Sequence, residues 1–297
     1  MAADTFKQRI LKENKLGMTP ADQRSSIEII NPEIKRGCIK HVLFDFDGTI
    51  SLIREGWQQV MIPMLVRRLL ELKTGETEQQ LHAIVEDFVA ETTGKQTIYQ
   101  MIGLADMIRD RGGNPEDPLV YKKEYLDLLW DRIKDRIEAL KTGKVQPEQM
   151  VVRGSYRLLD LLKARGVRMY VASGTDEPFV KNESALVKVN HYFDGIYGAQ
   201  DDYKKHSKKI VIERLLRENQ VPGESLLTFG DGYVEIENTK EVGGIAVGLA
   251  TNEQTGEGID EWKRERLIKA GADIIIPEFS CAETLIDYLF GDIDRVD

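Results

Sequence analysis

Two aspartates, Asp45 and Asp47, stand two residues apart at the end of the apolar run Ile39–Phe44 and are followed by Gly48 and Thr49. Side chains two apart on a strand share a face, so both carboxylates point the same way where the strand stops, and Gly48 lets the chain turn sharply just after them. Like charges at this spacing repel unless something positive lies between. A hard divalent cation such as Mg²⁺, which takes oxygen ligands, is the expected partner. Asp and Gly are also ordinary turn residues, so by itself the motif is equally an acidic strand-end turn.

Three later segments supply what such a pair would need. Val167 to Thr175 is a second β-rich run ending in Ser173-Gly174-Thr175, and Asp176-Glu177-Pro178 carries helix-starting chemistry. Free backbone N–H groups near Ser173 and Gly174 could therefore receive a phosphate. The lysines 204, 205, 208 and 209 open an amphipathic stretch through Leu216, which on its own also reads as a solvated helix start. Ser225 to Gly230 is a third buried-looking strand, capped by Asp231 with Glu235 four residues on. Those two acids share a side if a helical turn begins there.

In this order the four segments resemble the haloacid dehalogenase superfamily of phosphotransferases, over about Ile39 to Phe290, and specifically its phosphoglycolate phosphatase and β-phosphoglucomutase-like members with a helical cap. The resemblance implies that Asp45 is a nucleophile and Asp47 a general acid and base. It implies that Ser173, Thr49, Gly174 and Thr175 hold the phosphoryl group, and that a lysine balances its charge. Lys208 fits the helical register best, because Ile212 and Leu215 follow at four and seven residues; Lys205 and Lys209 remain alternatives. It further implies a metal site of Asp45, the main-chain carbonyl of Asp47, Asp231 and Glu235. Glu235 departs from the aspartate usual in the family, leaving open whether it meets the metal directly or through water. Asp47 argues against dehalogenase and phosphonate hydrolase chemistry, in whose family patterns it is absent or usually replaced.

These groups must be positioned by an α/β, doubly wound parallel sheet. Strand-like runs at 39–46, 167–173, 225–230, 243–250 and 272–277 alternate with helical patterns such as 154–165 and 207–219. Catalytic groups then belong at the carboxyl ends of the strands. Between the first two motifs the pattern turns helical, at 56–73, 77–91, 96–111 and 117–141, broken by glycine-bearing turns. The expected organisation is an N-terminal extension (1–36), a core (37–52 and 150–297) and a helical cap (53–149). Thr5–Asn14 could form a short helix and Ser26–Ile30 an edge strand. Arg54 and Trp57 lie where the chain enters the cap and could contact substrate, Arg54 reading also as a hinge-surface charge and Trp57 as core, and the loop Thr92–Thr97 could deliver Lys95 and a hydroxyl to the substrate's leaving group. An ordinary interhelical turn would look the same.

Composition bounds the partners. Forty-one basic against fifty acidic residues give a net charge of −9, which weighs against nonspecific nucleic-acid binding. No apolar run approaches the length of a membrane span, and two cysteines, Cys38 and Cys281, are too few for a disulfide scaffold. The expectation is a cytoplasmic monomer or homodimer acting on a small phosphorylated metabolite, a sugar phosphate first, through an aspartyl-phosphate. The alternatives are a phosphomutase, which would keep every core residue, and a noncatalytic phosphate-ligand sensor.

Overall fold

The central strand of the molecule, β2 (His41–Phe44), is buried on both faces, which is why its sequence is a near-continuous apolar run rather than an alternation. The computed structural model describes residues 26–200, 207–220, 222–252, 255 and 258–296. The remaining strands are β1 (Glu28–Ile29), β3 (Arg168–Asp176), β4 (Gly195–Ala199), β5 (Leu226–Gly230), β6 (Ile245–Leu249) and β7 (Ile274–Ile276). They form one seven-stranded sheet in the order β1-β7-β6-β5-β2-β3-β4. All pairs are parallel except β1 with β7, where Glu28 and Ile29 cover an edge. The expected helix at Thr5–Asn14 and the alternative Lys205 lie outside the described residues.

Because β2 pairs with β3 on one side and β5 on the other, the connections diverge at β2 and leave a crevice beyond its carboxyl end. The register sets Phe44 beside both Val171 and Phe229, so Asp45 just past β2, Ser173 within β3 and Asp231 just past β5 lie on three adjacent strands at nearly the same level. The β3–β4 ladder shifts register between Ala172 and Asp176, across the Ser173-Gly174-Thr175 segment. That break frees backbone groups where a ligand would approach.

Among the described residues ten α-helices complete the fold. Four of them, α1 (Gln58–Leu70), α2 (Glu78–Thr92), α3 (Thr97–Asp110) and α4 (Pro118–Lys141), occupy the chain between β2 and β3. Each has a local reason to start and a stripe to bury. Thr77 and Gln80 make a reciprocal capping box at α2, and Asp117 caps α4 ahead of Pro118 in the first turn. In α4 the buried residues Tyr121, Tyr125, Leu129, Ile133 and Ile137 repeat every four positions. The segments entering and leaving this bundle run side by side, with Leu52 N–H donating to Met150 O and Val152 N–H to Ile50 O.

The other helices flank the sheet: α5 (Ser155–Ala164), α6 (Glu177–Leu186), α7 (Lys208–Asn219), α8 (Tyr233–Glu241), α9 (Glu261–Lys269) and α10 (Ala282–Phe290). Alternation along β2 decides the layers. Val42 and Phe44 pack with Leu158, Leu162 and Leu285 of α5 and α10, whereas Leu43 packs with Ile212 and Leu215 of α7. β4 is absent from the sequence reading because Gly195-Ile196-Tyr197-Gly198-Ala199 has two glycines and weak strand propensity; its pairing to β3 supplies the order.

Candidate active site

The glycine after the aspartate pair is dictated by geometry. Gly48 has φ 83°, and a Cβ there would come within 2.4 Å of the Asp231 carboxylate. The turn it permits brings Thr49 under Asp231: Thr49 Oγ1 accepts from the Asp231 N–H at 3.1 Å and donates to Asp231 Oδ1 at 3.4 Å. Thr49 is fully buried and does not line the cavity. It therefore positions an acid where contact with phosphate had been expected.

Asp45 sits just past β2 and is 6% exposed. Its Oδ1 accepts from Lys208 Nζ at 2.8 Å, and the same ammonium donates to Glu235 Oε2 at 2.8 Å. Lys208 opens α7, capped by Ser207. A lysine at a helix amino terminus opposes the helix dipole, so the two carboxylates offset a local cost. Lys209, one residue on, pairs with Glu241 at the surface. Burial pushes the Asp45 carboxyl well above its ordinary range, against the pull of Lys208. Burial alone would lower Lys208, but Asp45 and Glu235 outweigh it and keep the ammonium charged.

Glu235 spans two tasks. Oε1 accepts from the Gly232 N–H at 2.8 Å, closing the first turn of α8, while Oε2 holds Lys208. Carboxylate oxygens of Asp45, Asp231 and Glu235 all lie within 4.8 Å of one another. Three hard oxygen donors around one point fit a divalent cation. Lys263 of α9 meets this cluster from outside, 3.1 Å from Asp231 Oδ2, and nothing in the sequence pattern singled it out.

The Asp47 side chain turns away from those acids. Its Oδ2 accepts from Thr175 Oγ1 at 2.8 Å and from Ser173 Oγ at 3.3 Å, while buried Oδ1 accepts no hydrogen bond. Arg54 Nε is 3.8 Å from that carboxylate, but its guanidinium is committed to Glu183 of α6, at 2.6 Å through Nη2. Arg54 thus lines the cavity as half of a buried ion pair. Glu183 was missed, though a signal existed: it interrupts the stripe Val180, Glu183, Ser184, Val187 with a charge.

A cavity joins these groups to the helical bundle; Asp45, Asp47, Ser173, Gly174, Thr175 and Lys208 line it from the sheet side. Trp57, Lys95, Thr97, Gln100 and Tyr125 line it from the helical insert. The loop bearing Lys95 sits hard against the strand ends. A Cβ on Gly174 would lie 2.7 Å from the Lys95 carbonyl oxygen, and one on Gly232 3.1 Å from Gly94 Cα. Thr92 and Thr93 spend their hydroxyls on carbonyls of their own helix, Phe88 and Val89 among them.

Fold and site together define a doubly wound α/β protein with a carboxylate–lysine centre at the switch point of its sheet. Residues 39–243 match the family model of the haloacid dehalogenase-like hydrolases, and the chain belongs to that family. No curated protein matches it in sequence. Among solved structures it is similar to a predicted phosphatase from Clostridium acetobutylicum, at 20% identity and TM-score 0.53, over 84% of this chain and 99% of that one. A predicted phosphoglycolate phosphatase from Haemophilus somnus 129PT aligns at 16% identity and TM-score 0.53, over 83% and 97%. β-Phosphoglucomutase from Clostridium difficile aligns at 13% identity and TM-score 0.51, over 78% and 98%. Among the described residues no helix is long and apolar enough to cross a membrane.

Proposed function

We propose that the protein is a Mg²⁺-dependent phosphatase that hydrolyses a small phosphorylated metabolite, a sugar phosphate first, through a phosphoryl group carried on Asp45. The observation behind this reading is the division of labour between the two aspartates. Asp45 lies with Lys208 and the acidic cluster, while Asp47 lies among hydroxyls with one oxygen that accepts no hydrogen bond.

Asp45, Asp231, Glu235 and the Asp47 main-chain carbonyl would hold the cation, Glu235 directly or through water. When bound, it supplies charge neutralisation at the phosphoryl oxygens. Phosphate dianions repel anionic nucleophiles, and Lys208 counters that repulsion beside the attacking carboxylate. Ser173 Oγ and the Gly174 N–H would hold phosphoryl oxygens, with Ser173 Oγ oriented by the Thr175 N–H that donates to it at 3.0 Å. Attack by Asp45 forms an Oδ–P bond as the ester P–O bond breaks, and Asp47 gives its proton to the departing alkoxide. Asp47 then takes a proton from the water that cleaves the acyl phosphate. A positioned acid and base of this kind contributes roughly 10²–10⁴-fold. Splitting the displacement in two replaces one hard step by two easier ones.

The test is phosphate release from a panel of phosphorylated sugars, polyols, nucleotides and glycolate, for wild type and Asp45→Asn. The expected result is Mg²⁺-dependent release by wild type, loss of it in the variant, and acid-stable phosphate on Asp45 after rapid quenching. Interconversion of sugar phosphates without release would mean a mutase instead. Tight binding of these ligands with neither reaction would mean a sensor.

A further inference from the structure

The leaving-group end of the cavity has an uneven charge balance. Its buried cations are already neutralised: Arg54 by Glu183 at 2.6 Å, and nearby Lys122 of α4 by Asp176 at 2.6 Å. Lys95 stands exposed at the rim. Two neutral polar side chains are left over. Gln100, in the first turn of α3, is 3% exposed, and Tyr125, in the second turn of α4, is 4% exposed. Both line the cavity, and neither has a polar atom among the sealed, unpaired ones, so their amide and phenol groups are open to the cavity space.

Polar groups that face a cavity are satisfied by whatever fills it, ligand or water. Gln100 lies near the start of α3, beside the stripe Ile98, Met101, Leu104, Ala105, Ile108, where an apolar residue would pack as well. Tyr125 occupies one step of the four-residue repeat of α4, where phenylalanine would do. An amide offers both donor and acceptor, and a phenol does likewise. Their natural complement is a hydroxyl, which also does both. A carboxylate would find no uncompensated buried cation here, and an ammonium would find no uncompensated buried carboxylate except Asp47.

We propose that Gln100 and Tyr125 form a recognition pair for hydroxyls of a neutral leaving group, so that the preferred substrate is the phosphate ester of a small sugar or polyol and not of a hydroxy acid or amino alcohol. The inference rests on the phosphatase reading above and assigns its specificity. Burial holds Tyr125 above its ordinary phenol range, so it stays a neutral donor at any physiological pH.

The experiment measures kcat/KM on phosphates of glycerol, tetritols, pentoses and hexoses, on phosphoglycolate and phosphoserine, and on p-nitrophenyl phosphate. Wild type is compared with Tyr125→Phe and Gln100→Leu, each checked by thermal melting. The best polyol or sugar phosphate should exceed phosphoglycolate and phosphoserine by about 10²-fold or more, as expected where a site is built to bond hydroxyls. In each variant the ratio of that substrate's kcat/KM to that of p-nitrophenyl phosphate should fall at least about tenfold, mostly through KM. A preference for phosphoglycolate or phosphoserine, or an equal fall on both esters, overturns the assignment. If either variant fails to fold, the wild-type ranking still decides. Absence of hydrolysis of every ester, p-nitrophenyl phosphate included, refutes the phosphatase reading itself, and the assignment with it.

Discussion

Lys208 Nζ stands 2.8 Å from Asp45 Oδ1 across 163 residues of chain, and both side chains are over nine-tenths buried. With Glu235 on its other side, the ammonium is the charge that lets two carboxylates share a dry site. Lys208→Met should reduce turnover by at least 10²-fold and, because it breaks a buried pair, destabilise the metal-free fold by about 3–5 kcal/mol. Urea denaturation should show the loss shrinking in acid. The raised Asp45 carboxyl contributes stability when protonated, below its unfolded value, and that contribution is lost as pH rises through its folded value.

Asp47 is argued to be an acid, so its removal should depend on the leaving group. Asp47→Asn should lose about 10²-fold or more on alkyl phosphates and much less on p-nitrophenyl phosphate, whose phenolate departs without a proton. Equal losses on both would point to a purely structural role. Phosphate should also build up on Asp45 in this variant, visible after acid quenching.

Gly174 holds no left-handed backbone angle; what demands glycine is the Lys95 carbonyl, 2.7 Å from any added Cβ. Gly174→Ala keeps the N–H and pushes the Thr92–Thr97 loop outward. A displacement of this order costs up to about 10²-fold in rate through lost positioning. Steady-state kinetics should show kcat falling, with the melting temperature little changed.

Arg54 and Glu183 stabilise each other more than they stabilise the fold. Arg54→Met strands a buried carboxylate and should destabilise by about 3–5 kcal/mol, while the double variant Arg54→Met, Glu183→Leu should recover most of it. A double-mutant cycle in urea reads the coupling directly. Additive losses would mean the pair is not coupled.

His41 lies buried on β2, stacked with Tyr170, and its Nδ1 lacks a partner. Burial pushes its imidazole below the ordinary value, Arg168 and Lys40 push the same way, and Asp194 opposes. A depressed folded value means the unfolded chain takes the proton first. Stability from neutral His41 is therefore full above about pH 6.5 and drains as the pH falls through the folded value. Between pH 7.5 and 5, the urea midpoint of His41→Leu should drop less than that of wild type.

What the linear chain determined was local. Strand ends can be read from apolar runs that stop near Asp45, Ser173 and Asp231, and the helices between β2 and β3 from four-residue stripes and N-caps such as Thr77 and Asp117, because burial and capping act within a few residues. Lys208 was legible only through its register with Ile212 and Leu215. Tertiary structure decided the rest. Thr49 braces Asp231, Arg54 is claimed by Glu183 across 129 residues, Lys263 reaches Asp231, and Gln100 and Tyr125 meet one cavity from two helices. A side chain's partner depends on which distant element packs against it, and only helix and sheet packing sets that distance.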